Sequence, residues 1–406
     1  MVQAIMDEDY TNHGIEYQRA QFDRNAYTLG LIGRHNVVLV YMPGMGNTNS
    51  ASVAADLRSS FQAIEIVFVV GICGIVSTNP ETKDELVLGD CIISTSVAQY
   101  DNARLFPKGF EPKTGRDDIL GRASPLIRAL IAKLKTNTNR TRLTRQLVDL
   151  LCDLQTKRHG LAYPGAAQDK LFDSTYIHQH HDSDLRCSEC NQDMDTCKRD
   201  CEALGCDDIY LINRARLSGS DPSLLHPRIH FGTFGSSNTL MRSGLDRDNL
   251  SEHSGIIAFE MESAGIWDTF PTIIIKAGCD YADSHKNKTW QNYAAASAAC
   301  MLKVFLHQLE TWQDSPLPTN NIHFGVDNPW VEQQHPFGMR GLKRMKYPGR
   351  SRTHDRSGRV ASEGFPKSQV TQDPSGVSAY DMYMQRSMMD ASRNLGKAKV
   401  LIEPRG

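Results

Sequence analysis

The sequence has no excess of charge of either sign, no long apolar run and no hydrophobic leader. Its 45 Lys and Arg residues nearly balance 47 Asp and Glu residues, which leaves a net charge of -2 at pH 7. This balance lacks the electrostatic signature of a nucleic-acid binder. No apolar run approaches the roughly 20 residues that span a bilayer, and the opening MVQAIMDEDY does not resemble a signal peptide. We therefore expect neither a membrane nor a nucleic acid among the partners.

The ten cysteines do not indicate a disulfide scaffold in a chain of 406 residues. In the absence of a secretion signal they are interpreted as reduced thiols. This predicts a cytoplasmic protein, with a nuclear location as the alternative. At 40% hydrophobic residues, the chain can bury a sizeable core.

Apolar segments of strand length alternate with helical patterns through most of the chain. Such strands, apolar along their whole length, are typical of a sheet that helices cover on both faces. The sequence therefore predicts an α/β fold. Strands are expected at 35–43, 65–74, 91–100, 228–234, 255–260 and 272–278, and helices at 49–61, 125–134, 145–154 and 290–310.

The composition changes near residue 314, where apolar periodicity ends. We expect a domain over 1–313, interrupted by a Cys- and His-rich insertion at about 160–228, and a disordered tail over 314–406. The tail contains a basic stretch at 339–359. This stretch is interpreted as a solvated linker, with a nuclear-import or phosphate-binding patch as the alternative. A nucleic-acid-binding tail would show affinity that falls steeply with salt.

Glycines and acidic residues follow several of the predicted strands, which is where α/β proteins place ligands. The turn Gly44-Met45-Gly46 follows the first strand, and Cys73-Gly74 ends the second. Four acids follow later strands: Glu260, Glu262, Asp280 and Asp283. These acids are candidates for one cleft, although helix N-termini favour acidic residues for electrostatic reasons alone.

Six stretches, in order along the chain, resemble the nucleoside phosphorylase superfamily. That group includes purine and uridine phosphorylases, methylthioadenosine nucleosidases and a phosphorylase-like domain common in fungal proteins. The resemblance implies a mixed central sheet flanked by helices. The stretches are YTLGLIGRHNVVLVYMPGMGNTNSA, FVVGICG, LVLGDCIISTSVAQYD, HFGTFGSSNTLMRSG, IIAFEMESAGIWDTFP and KAGCDYADSHKNKTWQNYAAASAA.

The resemblance implies cleavage of the N-glycosidic bond of a purine nucleoside or an adenine nucleotide. Asp280 matches the aspartate that protonates the leaving base, and Glu262 matches the glutamate that binds the ribose hydroxyls. The nucleophile would be phosphate, as a co-substrate, or water; neither needs a metal or an organic cofactor. A homo-oligomer is also expected. Further residues expected to bind the substrate are Met261, Leu240, Met241, Gly46, Cys73 and Gly74.

The sequence departs from the family pattern in two places. Cys73 and Ile75 stand where relatives often have glycine, close to the expected position of the nucleophile. The first strand of the family, and the glutamate that activates water, are expected to be missing, which would leave neighbouring strands with unpaired backbone groups. These departures favour an alternative function, a catalytically weakened domain that senses nucleosides or serves as an effector adaptor.

The insertion contains two short cysteine pairs that are candidates for a zinc site: Cys187, Cys190, Cys197 and Cys201. Their spacing matches no standard zinc finger, so the sequence favours reduced thiols without a metal. His285 and Lys286 are candidates to contact an anionic group of the substrate, with a surface loop as the alternative.

Overall fold

The computed structural model describes residues 1–13, 19–107, 109–181, 190–191, 196–197, 199–219, 222–313 and 399–403. The basic stretch at 339–359 and most of the expected tail lie outside these residues. Among the described helices, none is long and apolar enough to cross a membrane.

Among the described residues, a nine-stranded mixed sheet forms the centre of the fold, and the family resemblance implied such a mixed central sheet. The strands are β1 Glu8–Asp9, β2 Tyr27–Ile32, β3 His35–Tyr41, β4 Ile66–Ile75, β5 Cys91–Gln99, β10 Ile229–Ser236, β11 Ile256–Glu260, β12 Thr272–Asp280 and β13 Lys399–Glu403. Their order is β1-β2-β3-β13-β4-β11-β10-β5-β12, and β12 also pairs with β4. The last five strands in this order therefore form a closed ring.

The strands mix parallel and antiparallel pairing around β4. Strand β4 runs parallel to β12 and β13 but antiparallel to the end of β11. All nine residues of β12 are buried, which explains the unbroken apolar pattern that predicted this strand.

Strand β13 comes from the far end of the expected tail and corrects one expectation. It lies between β3 and β4 and runs parallel to both. Val400 and Ile402 are completely buried in the core. The facing sides of β3 and β4 are thus not left with the unpaired backbone groups that a missing first strand implied. Sequence periodicity did not reveal β13 because five residues carry little pattern without their neighbours.

Helices flank the sheet. The described α-helices are α1 Asn47–Ser60, α2 Pro125–Leu134, α3 Asn137–Lys157, α4 Cys201–Leu204, α5 Gly244–Ser254, α6 Ser263–Trp267 and α7 Gln291–Gln313. Helix α7 packs on β4 and β12, α3 packs on α7, and α1 packs on α6. Ser124 caps α2 by accepting a hydrogen bond from the Ile127 N–H.

The remaining elements are short. Two hairpins stand apart from the main sheet, β6 Ala103–Phe106 with β7 Gly109–Pro112, and β8 Cys190–Asn191 with β9 Thr196–Cys197. The described 3-10 helices are Val2–Ile5, Tyr10–His13, Ala166–Gln168, Asp208–Tyr210 and Pro222–Leu225. Most of these elements fall within the predicted insertion, and its described residues contain only short strands and helices.

Candidate active site

Gly74 lies at the junction where the ends of three strands meet. In the register of the sheet it pairs with Phe259 of β11 on one side and with Asp280 of β12 on the other. This double pairing brings the acidic segment after β11 close to the acidic end of β12. The pairing of β4 with both neighbours therefore brings the segments that contain Glu262 and Asp280 to the same end of the sheet.

The junction has no room for a side chain on residue 74. A Cβ there would lie 2.8 Å from the Cβ of Ala282 and 3.0 Å from Oδ1 of Asp280. Ala282 itself has a φ of 53°, a left-handed conformation that is uncommon outside glycine. The backbone after β12 is thus packed directly against the glycine of β4.

Lys276 holds two carboxylates in the interior of the protein. Its Nζ lies 2.7 Å from Oε2 of Glu262 and 3.0 Å from Oε2 of Glu260. All three side chains are at least 96% buried. An ammonium ion between two buried carboxylates compensates charges that would otherwise be costly to desolvate.

The two glutamates differ in their remaining contacts. Glu260 accepts hydrogen bonds from the Glu262 N–H at 3.0 Å and from the Ser263 N–H at 3.1 Å, so it fixes the first turn of α6. Burial raises the pKa of Glu260, but Lys276 and these donors outweigh burial and lower it. Burial and the neighbouring Glu260 raise the pKa of Glu262 despite Lys276. Glu262 also lines the cavity described below, so its carboxylate can be reached by a ligand.

Asp280 is buried and accepts hydrogen bonds from three directions. The Ala282 N–H donates to Oδ1 at 2.9 Å, and the Cys279 thiol donates to Oδ2 at 3.1 Å. Nζ of Lys286 lies 3.0 Å from the same Oδ2. Lys286 thus meets a carboxylate of the protein, in addition to lining the cavity where an anionic group was expected.

A cavity of about 920 Å³ opens at the junction. Five of the predicted site residues line it: Cys73, Gly74, Leu240, Met261 and Glu262. Met45, Ile72 and Phe259 add apolar surface. Four exposed cations also line it: Lys170, Arg199, Arg242 and Lys288. The cavity combines an apolar wall with a carboxylate and several positive charges, which suits a ligand with a flat ring and polar groups.

Three predicted site residues are not among those that line the cavity. Asp280 lies behind its wall, between Gly74 and Lys286. Gly46 precedes α1 with a φ of 109°, where a side chain would be strained. Met241 is half-buried and packs against the hydrophobic core.

Cys73 and Ile75, the two departures from glycine, have different surroundings. Ile75 is completely buried in the core. Cys73 lines the cavity, but burial raises the pKa of its thiol well above the usual value. Cys73 is therefore an uncharged wall residue, since a nucleophilic cysteine needs a lowered thiol pKa.

Sequence reasoning assigned no role to Lys276, although the signal was visible. Lys276 is the only charged residue between Thr272 and Cys279, in an otherwise apolar segment of β12. A charge at a fully buried position requires a partner. The segment thus indicated a buried ion pair, without showing which carboxylates form it.

Residues of the insertion form buried hydrogen bonds with Tyr281, which directly follows β12. The Tyr281 hydroxyl donates to Oδ1 of Asp169 at 2.6 Å and accepts from Arg214 at 2.5 Å. Arg216, also from the insertion, forms a buried ion pair with Asp90, and Nη2 of Arg216 donates to Oδ1 at 2.9 Å. The insertion is therefore attached to the residues that flank the cavity.

The four cysteines proposed for zinc are not brought together by the described residues. Cys187 and the side chain of Cys190 lie outside them. Cys197 is buried, with its Sγ 4.0 Å from Nε2 of His180. Cys201 lies elsewhere, with its Sγ 3.6 Å from Nδ1 of His178.

Comparison with known proteins matches the chain to one protein family and to a fungal relative. The model of the phosphorylase superfamily matches residues 4–269. A nucleotide-binding leucine-rich repeat (NLR)-like protein of Hyaloscypha variabilis is 28% identical over 322 residues. The alignment covers 78% of this chain but only 29% of that protein. The chain thus spans less than a third of the relative's length.

Three solved structures are similar to this chain at low sequence identity. The 5'-methylthioadenosine/S-adenosylhomocysteine nucleosidase of Neisseria meningitidis is 16% identical, with a TM-score of 0.43, over 76% of this chain and 93% of that one. The nucleosidase of the same name from S. pneumoniae is 17% identical, with a TM-score of 0.42, over 76% of this chain and 93% of that one. Futalosine hydrolase of Helicobacter pylori is 13% identical, with a TM-score of 0.39, over 73% of this chain and 89% of that one.

Proposed function

Because the chain belongs to the phosphorylase superfamily, we propose that it cleaves the N-glycosidic bond of purine nucleosides or adenine nucleotides. The observation that carries this proposal is the position of Glu262 and Asp280. Glu262 follows β11 and Asp280 ends β12, the two strands that pair with Gly74; Glu262 lines the cavity, and Asp280 lies behind its wall. Glycoside cleavage needs groups that bind the sugar and assist departure of the base, and these two carboxylates supply them.

Glu262 is proposed to bind the ribose. Lys276 holds Oε2 of Glu262 at 2.7 Å, and the Glu262 side chain lines the cavity. A carboxylate oxygen accepts hydrogen bonds from sugar hydroxyls. Met261 lines the cavity next to Glu262 and would pack against the sugar.

Asp280 is proposed to deliver a proton to the departing purine, and as a carboxylate it must first take up that proton from solvent. Its Oδ2 now contacts Nζ of Lys286 at 3.0 Å. A purine nitrogen that reaches Asp280 would therefore have to displace Lys286, whose side chain is only 17% exposed. Leu240 and Phe259 line the cavity and offer apolar contacts to the flat base.

The cavity supports an anionic co-substrate or an anionic substrate group. Lys170, Arg199, Arg242 and Lys288 line it, and all four are exposed. Such cations bind phosphate oxygens, whether of free phosphate or of a nucleotide. Phosphate would act as the nucleophile of a phosphorylase, and water would take that role in a nucleosidase.

The test is to incubate the purified protein with adenosine, inosine, guanosine, ATP and uridine, each with and without phosphate. Released base is measured by chromatography. We expect a free purine and no uracil, and the effect of phosphate identifies the nucleophile. Equal release of adenine and uracil, or no release of any base, would contradict the proposal.

A second candidate function is a nucleoside-sensing or effector-adaptor domain. It is favoured by the name of the relative, an NLR-like protein of which the aligned region forms 29%. The ion pair between Lys286 and Asp280 also suits a domain that binds without turnover. Calorimetry with adenosine and ATP distinguishes the two functions, because a sensor binds these ligands but releases no base.

A further inference from the structure

Four potential metal ligands meet where the insertion contacts the loop after β12. Sγ of Cys201 and Sγ of Cys206 each lie 3.6 Å from Nδ1 of His178. The ligand atoms of His178, Cys206 and His285 all lie within 4.8 Å of one another. Cys201 and Cys206 also contact each other through their thiols. His178, Cys206 and His285 therefore form the centre of the cluster, and Cys201 joins them through its contacts with His178 and Cys206.

Hydrogen bonding orients His178 with a free lone pair toward the two sulfurs. Nε2 of His178 lies 2.7 Å from the carbonyl oxygen of Arg199. A carbonyl can only accept, so Nε2 carries the proton and Nδ1 is the unprotonated nitrogen. A histidine that binds a metal commonly has its other nitrogen fixed by a carbonyl in this way.

The surroundings of His285 are a second, independent indication of a bound metal. Its ring is 5% exposed, and both ring nitrogens are buried without a hydrogen-bond partner among the described residues. The ring stacks on Phe172 at 4.0 Å between centroids, so packing holds it in place. A buried polar nitrogen without a partner costs free energy, and such a group needs an explanation. A metal bound to one nitrogen supplies it.

The distances from Nδ1 of His178 to the two cysteine sulfurs agree with tetrahedral zinc. Zinc bonds of about 2.3 Å to sulfur and about 2.0–2.1 Å to nitrogen place neighbouring sulfur and nitrogen ligands about 3.6 Å apart at the tetrahedral angle. Both Cys–His178 separations are 3.6 Å. Two thiolates and two imidazoles also form a neutral site with Zn²⁺, once two thiol protons are released to solvent.

We propose that His178, Cys201, Cys206 and His285 bind a structural zinc ion. Only Cys201 of this set was among the cysteine pairs singled out in the sequence. The ion would fasten the insertion to the loop that follows Asp280, where the Ser284 hydroxyl already accepts a hydrogen bond from the His178 N–H at 3.0 Å. His178, Cys201 and His285 also line the cavity, so the zinc would hold one of its walls.

The experiment measures metal content in the full chain, purified without a histidine tag. We expect about one zinc per chain by elemental analysis, and less than about a tenth of that in Cys206→Ser and in His285→Gln. Cys152→Ser and His253→Gln are matched controls at exposed positions and should keep the metal. Retention of zinc in both site variants, or its loss in Cys187→Ser or Cys197→Ser alone, would overturn the proposal.

A second measurement does not depend on how the variants fold. Cobalt(II) replaces zinc in the wild-type chain, and the absorption spectrum reports ligand type and geometry. We expect tetrahedral bands and a charge-transfer band for two thiolates. Octahedral bands without thiolate charge transfer would contradict the site.

Discussion

Gly74 and Asp280 are register partners in the pairing of β4 with β12, and a Cβ on residue 74 would lie 3.0 Å from Oδ1 of Asp280. The proposed acid is thus positioned by the backbone of the neighbouring strand. The same glycine pairs with Phe259, next to the residues that hold Glu262. One small residue therefore sets the distance between the two sides of the proposed site.

Gly74→Ala should reduce turnover at least about tenfold, because small displacements of reacting groups cost catalysis heavily. The added methyl would lie 2.8 Å from the Cβ of Ala282, so the loop after β12 must shift. Overpacking of this kind costs about 1–3 kcal/mol of stability. Base release and urea unfolding measure the two effects. Gly121→Ala, where the nearest atom would be 4.0 Å away, is the control and should change neither.

Asp280→Asn should lower kcat by roughly 10²–10⁴-fold and leave substrate binding nearly unchanged, because a general acid acts mainly in the transition state. The measurement is steady-state release of base, with calorimetry for binding. Asp268→Asn, at an exposed position after α6, is the control. Wild-type turnover in Asp280→Asn would show that this carboxylate does not donate the proton.

Glu262→Gln should weaken binding as well as turnover, because the contact of Glu262 with ribose exists before the reaction. A hydrogen bond to a charged group contributes about 1.5–3 kcal/mol, which corresponds to a loss of roughly 10–100-fold in kcat/KM. Part of this loss should appear in KM. Glu252→Gln, exposed on α5, serves as the control. An unchanged KM would argue against ground-state contact with the sugar.

Asp90→Asn should change how stability depends on pH. Burial raises the pKa of Asp90, but Arg216 and His230 outweigh burial and hold it at about 2, below the usual 3.8. A lowered carboxyl pKa stabilises the fold above about pH 4, and this contribution of about 2 kcal/mol is lost as pH falls toward 2. Urea unfolding from pH 2 to 7 measures it.

In Asp90→Asn we expect a smaller fall in stability between pH 4 and 2. The variant should also lose about 3–5 kcal/mol at neutral pH, because Arg216 is left as a buried unpaired charge. Asp149→Asn, at an exposed position on α3, should behave like the wild type. An unaltered pH profile in Asp90→Asn would show that another group causes the acid loss.

Ile402→Ala should destabilise the domain by about 2–5 kcal/mol, the range for truncation of a buried Ile. Ile402 is completely buried in β13, although it lies only four residues before the last residue of the sequence. Thermal unfolding and urea titration measure the change. Ile119→Ala, where the side chain is 60% exposed, is the matched control. Equal stability of the two variants would mean that β13 does not occupy the sheet in solution.

The sequence by itself determined the fold class and the residues with the chemistry. Unbroken apolar strands between helices predicted the α/β sheet, because burial on both faces leaves a strong local pattern. The segments around Glu262 and Asp280 carried the family resemblance, because each is short and contiguous. Short contiguous patterns can be read without knowledge of the fold.

Tertiary structure alone decided what depends on distant partners. The pairing of β13 with β3 and β4 joins segments that are far apart in the sequence. The five residues of β13 are too few to show a periodicity that would predict this pairing. The same holds for Lys276 between Glu260 and Glu262, and for His285 beside His178 and Cys206. Charge compensation and metal coordination act between side chains in space. The sequence names the groups, but only the packing of the sheet and the insertion determines which of them meet.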